Sequence, residues 1–321
     1  MIYGGIDIGG TCIKFGFVDE SGNMLCKDLL PVSAISSYEE FVDSLDMAVA
    51  NLGNTLDDPS HITGFGVGCP GRIDVEEGKV IWLRGKLEYL ENQLLGFDLA
   101  SRFGRPVVCD NDVNSTVLGE THFGKAKNCS NVIGLTFGSG IGGAIIHDGQ
   151  LLRGKHFAVG HFGFMSHDPN GGDHVSGNPG AAELHASHLG ILAKVKNELA
   201  TGRKTSLGSR LNDASHNFGF KDVYSEAAHG DDLAKEILER LEKEVTVLIA
   251  NLLFAFDPDM ILIGGGLIEA DDEIVARISE GVKSRVAFIP KEGIRLEKMS
   301  SYQGSGILGG AALAISELEL E

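Results

Sequence analysis

The chain has 321 residues, of which 43% are hydrophobic, so it is long enough for two globular domains and too apolar to be disordered. Its formal net charge of −18 argues against a general nucleic-acid surface, and we expect no nucleic-acid partner. No apolar run approaches the roughly 20 residues that span a bilayer, so we expect no membrane partner.

The first predicted element is a β-hairpin with a glycine-rich reversal. Within residues 2–24, an apolar strand, the reversal Gly9-Gly10-Thr11, a second apolar strand and a hairpin turn signal follow one another. Glycines next to a hydroxyl group let backbone N–H groups approach an anion closely. The reversal is therefore a candidate phosphate site.

Between residues 37 and 120 the sequence predicts helices alternating with strands. The first helix begins after Ser37, which has capping-box spacing with Glu40 and precedes a run of apolar residues at helical period. The later elements are strands at 62–70 and 106–110 and a helix at 113–120.

Polar residues come directly after both of these strands. The turn Gly71-Arg72 follows the first strand, and Asn111 and Asp112 follow the second. Asp112 is placed where a carboxylate can face a bound ligand. It is also placed where a helix N-cap belongs, and a helix dipole is expected to lower its pKa.

Residues 132–152 repeat the pattern of the first hairpin. Their reversal, Gly138-Ser139-Gly140-Ile141-Gly142-Gly143, matches G-x-G-x-x-G. A dinucleotide site needs a helix after this motif, whereas the sequence predicts a strand, so we reject that interpretation. Two such hairpins indicate two lobes that hold one polyphosphate, although tight packing alone is an alternative explanation.

The remaining elements complete an α/β pattern with mixed sheets. We expect a long ordered loop over 155–190, a helix over 231–256, a buried strand at 260–263 before Gly264-Gly265-Gly266, and a last helix from 306. The predicted lobes are residues 1–118 plus 303–321 (N-terminal) and residues 119–302 (C-terminal).

In this order the motifs resemble the ROK family of sugar kinases, within the actin/hexokinase-like ATPase superfamily. The resemblance implies two actin-like (ribonuclease H-like) lobes with mixed β-sheets flanked by helices and an interdomain cleft. It implies an ATP-dependent, glucokinase-like kinase acting on a hydroxyl of a hexose or hexose derivative, and a homodimer. The segments that carry it are Asp7-Ile-Gly-Gly-Thr11, Cys69-Pro-Gly-Arg-Ile-Asp74, Asn111-Asp112-Val-Asn114, Gly138–Gly143, Gly160-His161, Gly177–Glu183, and Asp257-Pro258 before Gly264–Gly266.

The resemblance also assigns roles to individual residues. Asp112 is implied as the catalytic base that takes a proton from the sugar hydroxyl. The implied sugar contacts are Gly71, Arg72, Asn111, Asp112, His161 and Glu183. The implied ATP contacts are Asp7, Gly9, Gly10, Thr11, Gly138, Ser139 and Gly140 at the phosphates, with Mg²⁺ near Asp7, and Gly265 and Gly266 near the adenosine. Simpler roles remain open: Asp7 can cap its turn, and Arg72 can be a surface arginine.

Besides Cys12, which stands where relatives usually carry lysine or asparagine, the sequence departs from the family pattern at two places. Ala158 stands where most relatives carry a sugar-binding glutamate, and a missing hydrogen bond costs about 1–3 kcal/mol. The sugar can therefore differ from glucose, be larger than a monosaccharide, or be held by Arg84 or Glu88.

The second departure concerns zinc. The cysteines of zinc-bearing relatives are absent from the segment His174-Val-Ser176-Gly-Asn-Pro-Gly-Ala-Ala-Glu183. His161 and His174 alone do not form a closed zinc site, so we expect no structural zinc and assign no metal ligand.

Two expectations concern location and the alternative function. The five cysteines lack a pairing pattern and the N-terminus reads as a strand, so we expect a cytoplasmic protein.

The alternative function is a non-catalytic sugar or nucleotide sensor with a degenerate kinase site. Ala158 and the lost cysteines favour the sensor, whereas Asp7, Asp112 and Glu183 favour the kinase. The acidic charge and the strand at the start make a helix-turn-helix repressor less expected.

Overall fold

The computed structural model describes residues 1–84, 87–213, 217–300 and 304–318. The chain divides into two compact units. The first unit contains Met1–Ser130, Ala144–Val159 and Met299–Glu321, and the second contains Asn131–Gly143 and Gly160–Lys298. The division thus falls after Ser130, whereas the boundary predicted near 118 lies inside a helix. Residues 85–86, 303 and 319–321 of the predicted N-terminal lobe lie outside the described residues.

The first part of the chain forms the predicted strands and helices and several further ones that the sequence did not predict. They are β1 (Ile2–Ile8), β2 (Cys12–Asp19), β3 (Met24–Pro31), α1 (Tyr38–Gly53), β4 (Ile62–Cys69), β5 (Arg72–Asp74), β6 (Lys79–Trp82), α2 (Leu95–Phe103), β7 (Val107–Asn111) and α3 (Asp112–His122). The side chain of Ser37 caps α1 by accepting a hydrogen bond from Glu40 N at 3.2 Å.

The rest of the chain begins with strands and ends with a helix. Its elements are β8 (Val132–Phe137), β9 (Ile141–His147), β10 (Gln150–Leu151), α4 (Glu183–Ala186), α5 (His188–Ala200), α6 (Leu207–Asn212), α7 (Phe220–Ala228), α8 (Asp232–Phe256), β11 (Met260–Gly264), α9 (Gly266–Ala270), α10 (Ile274–Arg285), β12 (Leu296–Lys298) and α11 (Ser305–Leu318). The strand β9 after the second glycine motif confirms the rejection of a dinucleotide site.

The sheet of the first unit has the order β3-β2-β1-β4-β7. β1 pairs antiparallel with β2 and parallel with β4, and β4 pairs parallel with β7. In this register Asp7 lies opposite Gly68, and Gly68 lies opposite Asp110. Because the carboxyl ends of parallel strands share one edge of a sheet, the fold brings Asp7 and the end of β7 to the same edge.

Helix α11 packs directly against this sheet. A Cβ atom on Gly5 of β1 or on Gly66 of β4 would collide with the carbonyl oxygen of Ile307 or Gly310, respectively. Both strand glycines are therefore needed for the close approach of the helix. The buried side chains Tyr3, Val18, Ile307, Leu308, Ala311 and Ala314 form the cluster beneath it.

The second sheet has the order β10-β9-β8-β11-β12, and β8, β11 and β12 run parallel. The predicted long helix is confirmed as α8. Asp231 caps it by accepting a hydrogen bond from Ala234 N at 2.9 Å, and Asp257 ends it in a left-handed conformation with φ +41°. The leucines, isoleucines and valines that repeat along one face of α8 are buried. Among the described helices, none has the length and apolar character needed to cross a membrane.

Candidate active site

Two carboxylates lie near each other at the carboxyl edge of the first sheet. Asp112 is the first residue of α3, and Asp7 lies on β1. Burial and the negative charge of Asp7 raise the pKa of Asp112 to about 6. The expected lowering by the helix dipole was wrong, because the loss of hydration outweighs the helix N-terminus and the hydrogen bond from Val113 N.

Asp7 is also destabilised in its ionised form. Burial raises its pKa, and the nearby Lys14 opposes that effect. The Nζ atom of Lys14 lies 3.5 Å from Asp7 Oδ2. The position of Lys14 therefore supplies a cation beside Asp7, in a motif where Cys12 replaces the usual lysine or asparagine.

Asn111, and not Asp112, is the N-cap of α3. Its Oδ1 accepts hydrogen bonds from Val113 N at 2.9 Å and from Asn114 N at 3.3 Å. Its Nδ2 donates to the carbonyl oxygen of Gly71 at 2.9 Å. The Asp112 carboxylate accepts a hydrogen bond from Val113 N through Oδ1 at 3.0 Å.

The turn Gly71-Arg72 is held beside Asn111. Gly71 has φ +95°, and a Cβ atom there would collide with the carbonyl oxygen of Trp82. Arg72 pairs with Trp82 across β5 and β6, and its Nε is buried without a hydrogen-bond partner in the described part of the chain. An unpaired buried donor is costly, which fits a ligand contact by Arg72 better than a surface role.

Of the two side chains considered as substitutes for the glutamate at position 158, Arg84 is already engaged. Its guanidinium bonds to Glu91 and lies over the Trp82 ring at 5.7 Å from the ring centroid. Glu88 and Ala158 are exposed.

A buried ionic network, which the sequence analysis missed, holds Asn111 in place. Asp110 is 2% exposed and accepts hydrogen bonds from Asn111 N at 2.6 Å, Asn114 Nδ2 at 2.7 Å and Arg153 Nε at 2.7 Å. Arg153 also donates to Glu317 on α11 at 2.6 Å. A charged residue inside a buried strand end was a visible signal for Asp110, whereas nothing in the sequence pointed to Arg153.

The glycine turn of the first hairpin is open at its tip. Gly9 N donates to the carbonyl oxygen of Cys12 at 3.1 Å, while Gly10 and Thr11 are exposed. The predicted phosphate-binding groups are therefore accessible to a ligand.

The second glycine turn is supported by the start of α5. His188 N donates to Gly138 O at 2.9 Å, and Leu189 N donates to Ser139 O at 3.2 Å. Ser139 is exposed at the tip. Gly265, predicted at the adenosine, has φ +92° and packs against the backbone of Phe137.

Glu183 makes protein contacts through both carboxylate oxygens. Oε1 lies 2.7 Å from His174 Nε2, and Oε2 accepts a hydrogen bond from Ile141 N at 3.0 Å. The His161 ring contacts the Phe164 ring, with 5.4 Å between centroids. Sugar binding by Glu183 and His161 stays a prediction.

Comparison with known proteins decides the family. Residues 3–317 match the ROK family. The chain belongs to the ROK family. A glucokinase from Halalkalibacterium halodurans is 29% identical over 330 residues, covering 97% of this chain and 94% of the relative. An N-acetyl-D-glucosamine kinase from Aliivibrio fischeri is 28% identical over 324 residues, covering 98% of this chain and all of the relative.

A solved structure confirms the fold class. The crystal structure of a ROK family glucokinase from Streptomyces griseus, in complex with glucose and AMPPNP, superposes with a TM-score of 0.78. It is 27% identical and covers 98% of this chain and 100% of that chain. The resemblance predicted from the motifs is thus confirmed over nearly the whole sequence.

The residues of this ROK chain do not fit the structural zinc of zinc-bearing relatives. Both ring nitrogens of His174 are in hydrogen bonds, to Ser176 and to Glu183. Over the described ranges, no group of three or more His, Cys, Asp or Glu side chains could hold a metal ion. The absence of zinc remains a prediction for elemental analysis.

Proposed function

We propose that this chain transfers the γ-phosphoryl group of ATP to a hydroxyl group of a hexose or hexose derivative. That it is a sugar kinase follows from its family and from its glucokinase and N-acetyl-D-glucosamine kinase relatives. The hexose acceptor is supported by the glucose bound in the Streptomyces griseus structure.

The observation that carries the mechanism is the state of Asp112. A general base works best when its pKa lies near the pH of the reaction and when it can reach the proton it takes. Asp112 has a pKa of about 6 and lies at the carboxyl edge of the first sheet, beside Asp7 and directly after Asn111. We assign it the proton of the attacking sugar hydroxyl, while Asn111 fixes the start of α3.

The pair Asp7 and Asp112 fits a divalent cation bound with ATP. Each carboxylate has a raised pKa, so the ionised pair is short of compensating charge. Mg²⁺ commonly takes one or two carboxylates together with substrate phosphates, and we assign Asp7 to it. When bound, Mg²⁺ neutralises charge on the phosphates. The backbone N–H groups of Gly9–Thr11 and Gly138–Gly140 are assigned to the phosphates.

A sugar panel with a coupled ADP assay tests this function. Wild type is expected to phosphorylate at least one hexose or hexose derivative, and Asp112→Ala is expected to lower kcat by roughly 10²–10⁴. The exposed Asp57 gives a matched control, since Asp57→Ala leaves the site intact. Binding of sugar or ATP without turnover by wild type would favour the sensor. Activity of Asp112→Ala within about tenfold of wild type would contradict the base assignment.

A further inference from the structure

A continuous line of hydrogen bonds runs through the segment from Gly160 to Ser187, which we call the His174 loop. Asn178 N donates to Ser176 Oγ at 3.3 Å, and Ser176 Oγ lies 2.8 Å from His174 Nδ1. Ser176 N donates to the same Nδ1 at 3.2 Å. Because a backbone N–H can only donate, Nδ1 is the acceptor and the ring proton is on Nε2.

That proton points at Glu183. His174 Nε2 donates to Glu183 Oε1 at 2.7 Å, and Glu183 Oε2 accepts from Ile141 N at 3.0 Å. The side chains of His174 and Glu183 are 6% and 16% exposed. Hydrogen bonds to a carboxylate in such partly dry surroundings are stronger than neutral ones in water. The line therefore ends on the backbone directly after the turn Gly138–Gly140.

An aromatic contact joins the two histidines of the family's zinc segment. The Phe164 ring lies 5.4 Å from the His161 ring and 5.2 Å from the His174 ring, centroid to centroid. Asn178 Nδ2 donates to the carbonyl oxygen of Phe164 at 2.8 Å, which fixes the backbone that carries this ring. The two positions that could ligate a metal are thus packed against one side chain.

The backbone of the loop is also tied without a metal. Ser166 and Ala181 form a β-bridge, and Ser166 Oγ donates to Pro179 O at 2.6 Å. Ala182 N donates to Met165 O at 2.9 Å. These bonds join residues 165–166 to residues 179–182, directly before Glu183.

We infer that His174 is a positioning residue that orders this loop in place of a metal ion. It orients Glu183, and through Glu183 it holds Ile141 and the turn Gly138–Gly140. A carboxylate oxygen can accept more than one hydrogen bond, so Glu183 keeps capacity for a sugar hydroxyl. The catalytic consequence rests on the proposed function, because that function assigns the sugar to Glu183 and the phosphates to the turn.

Hydrogen exchange and metal analysis of the full chain test the inference. Purified wild type is expected to hold no stoichiometric zinc. His174→Ala is expected to speed amide exchange in residues 138–143 severalfold, because the acceptor for Ile141 N loses its support. His174→Gln, whose amide can donate to Glu183, is expected to restore slow exchange. His156→Ala, an exposed histidine outside the network, is the matched control.

The Michaelis constants of the same variants give a second, kinetic test. His174→Ala is expected to raise KM for both sugar and ATP by about tenfold, the size of one lost hydrogen bond to a charged group, and His174→Gln by less. Should His174→Ala not fold, Ser176→Ala removes only the hydroxyl that contacts Nδ1, and a smaller rise in exchange is expected.

Three results would overturn the inference. One tightly bound zinc per wild-type chain is the first. The second is amide exchange of residues 138–143 that is unchanged in His174→Ala. The third applies if His174→Ala does not fold, and it is unchanged amide exchange of the same residues in Ser176→Ala. If wild type phosphorylates no sugar, the proposed function fails, whereas the exchange and metal measurements still decide the role of His174.

Discussion

The carboxylate of Asp7 on β1 raises the pKa of the Asp112 carboxylate at the start of α3. Asp112 directly follows β7, and Gly68 on β4 lies between β1 and β7 in the sheet register; both aspartates are partly buried. Folding therefore places two like charges where water cannot fully screen them. The repulsion between the two carboxylates destabilises the unliganded protein, and binding of a cation or a proton removes that repulsion.

Asp112→Asn is expected to lower activity and raise stability at the same time. A carboxyl group whose pKa is raised by folding binds its proton more tightly in the folded state, so the ionised form destabilises the protein. The gain from removing that charge is up to about 3 kcal/mol above pH 6, shrinks as the pH falls from 6 toward 4, and disappears below about pH 4, where both the folded and the unfolded state are protonated. Thermal melts of the ligand-free protein at pH 5 and pH 8 measure this difference. Asp57→Asn, at an exposed aspartate, serves as the control, and a variant less stable than wild type at pH 8 would contradict the raised pKa.

Asp7→Asn is expected to lower the pKa of Asp112. The substitution removes the negative charge that opposes ionisation, while the burial of Asp112 remains. Carbon-detected NMR titration of the Asp112 carboxyl group, in protein without nucleotide or metal, gives the value directly. A midpoint below that of wild type is expected, and an unchanged or higher midpoint would show that the two carboxylates are not coupled.

Arg153→Met is expected to destabilise the first unit by about 3–5 kcal/mol, because it leaves the Asp110 carboxylate buried without its cation. Arg102→Met is the matched control: Arg102 also pairs with an aspartate, Asp43, at 2.7 Å, but their side chains are 50% and 57% exposed. That pair is worth about 0–1 kcal/mol. Urea unfolding of both variants measures the contrast.

A double variant separates charge from packing in the same network. Asp110→Asn removes the charge that Arg153 compensates, so Asp110→Asn/Arg153→Met is expected to be more stable than Arg153→Met alone. If the double variant is less stable by the sum of the two single losses, the network does not act through charge.

Helices and strands could be predicted where neighbouring residues in the sequence determine them. Helix α8 was found with both ends because Asp231 caps it, leucines repeat at helical period and Asp257-Pro258 ends it. The short β5 and β6 have three and four residues, too few for a periodic pattern. They matter nonetheless, because they hold Gly71 and Arg72 beside Asn111.

Partners distant in sequence were not predictable, since they depend on the complete fold. Asp110 and Arg153 are 43 positions apart, and only the tertiary structure pairs them. The predicted lowering of the Asp112 pKa was wrong for the same reason. The effect of a helix N-terminus can be read from local sequence, whereas burial and the charge of Asp7 come from the complete fold. Likewise, the sequence showed that His174 replaces a cysteine, but not that it bonds to Glu183.

Gly71→Ala is expected to raise KM for the sugar and to destabilise the protein. The residue has φ +95°, and its new Cβ would push against the Trp82 carbonyl oxygen, so the turn must move away from Asn111 Nδ2, which donates to Gly71 O. Gly104→Ala isolates the backbone contribution, because Gly104 has φ +60° with nothing within 4 Å of the added methyl group. We expect roughly 1 kcal/mol of lost stability and an unchanged KM for Gly104→Ala. A larger loss, together with a several-fold rise in KM, is expected for Gly71→Ala. Equal effects of the two variants on stability and KM would mean that the contact with Asn111 does not shape the acceptor site.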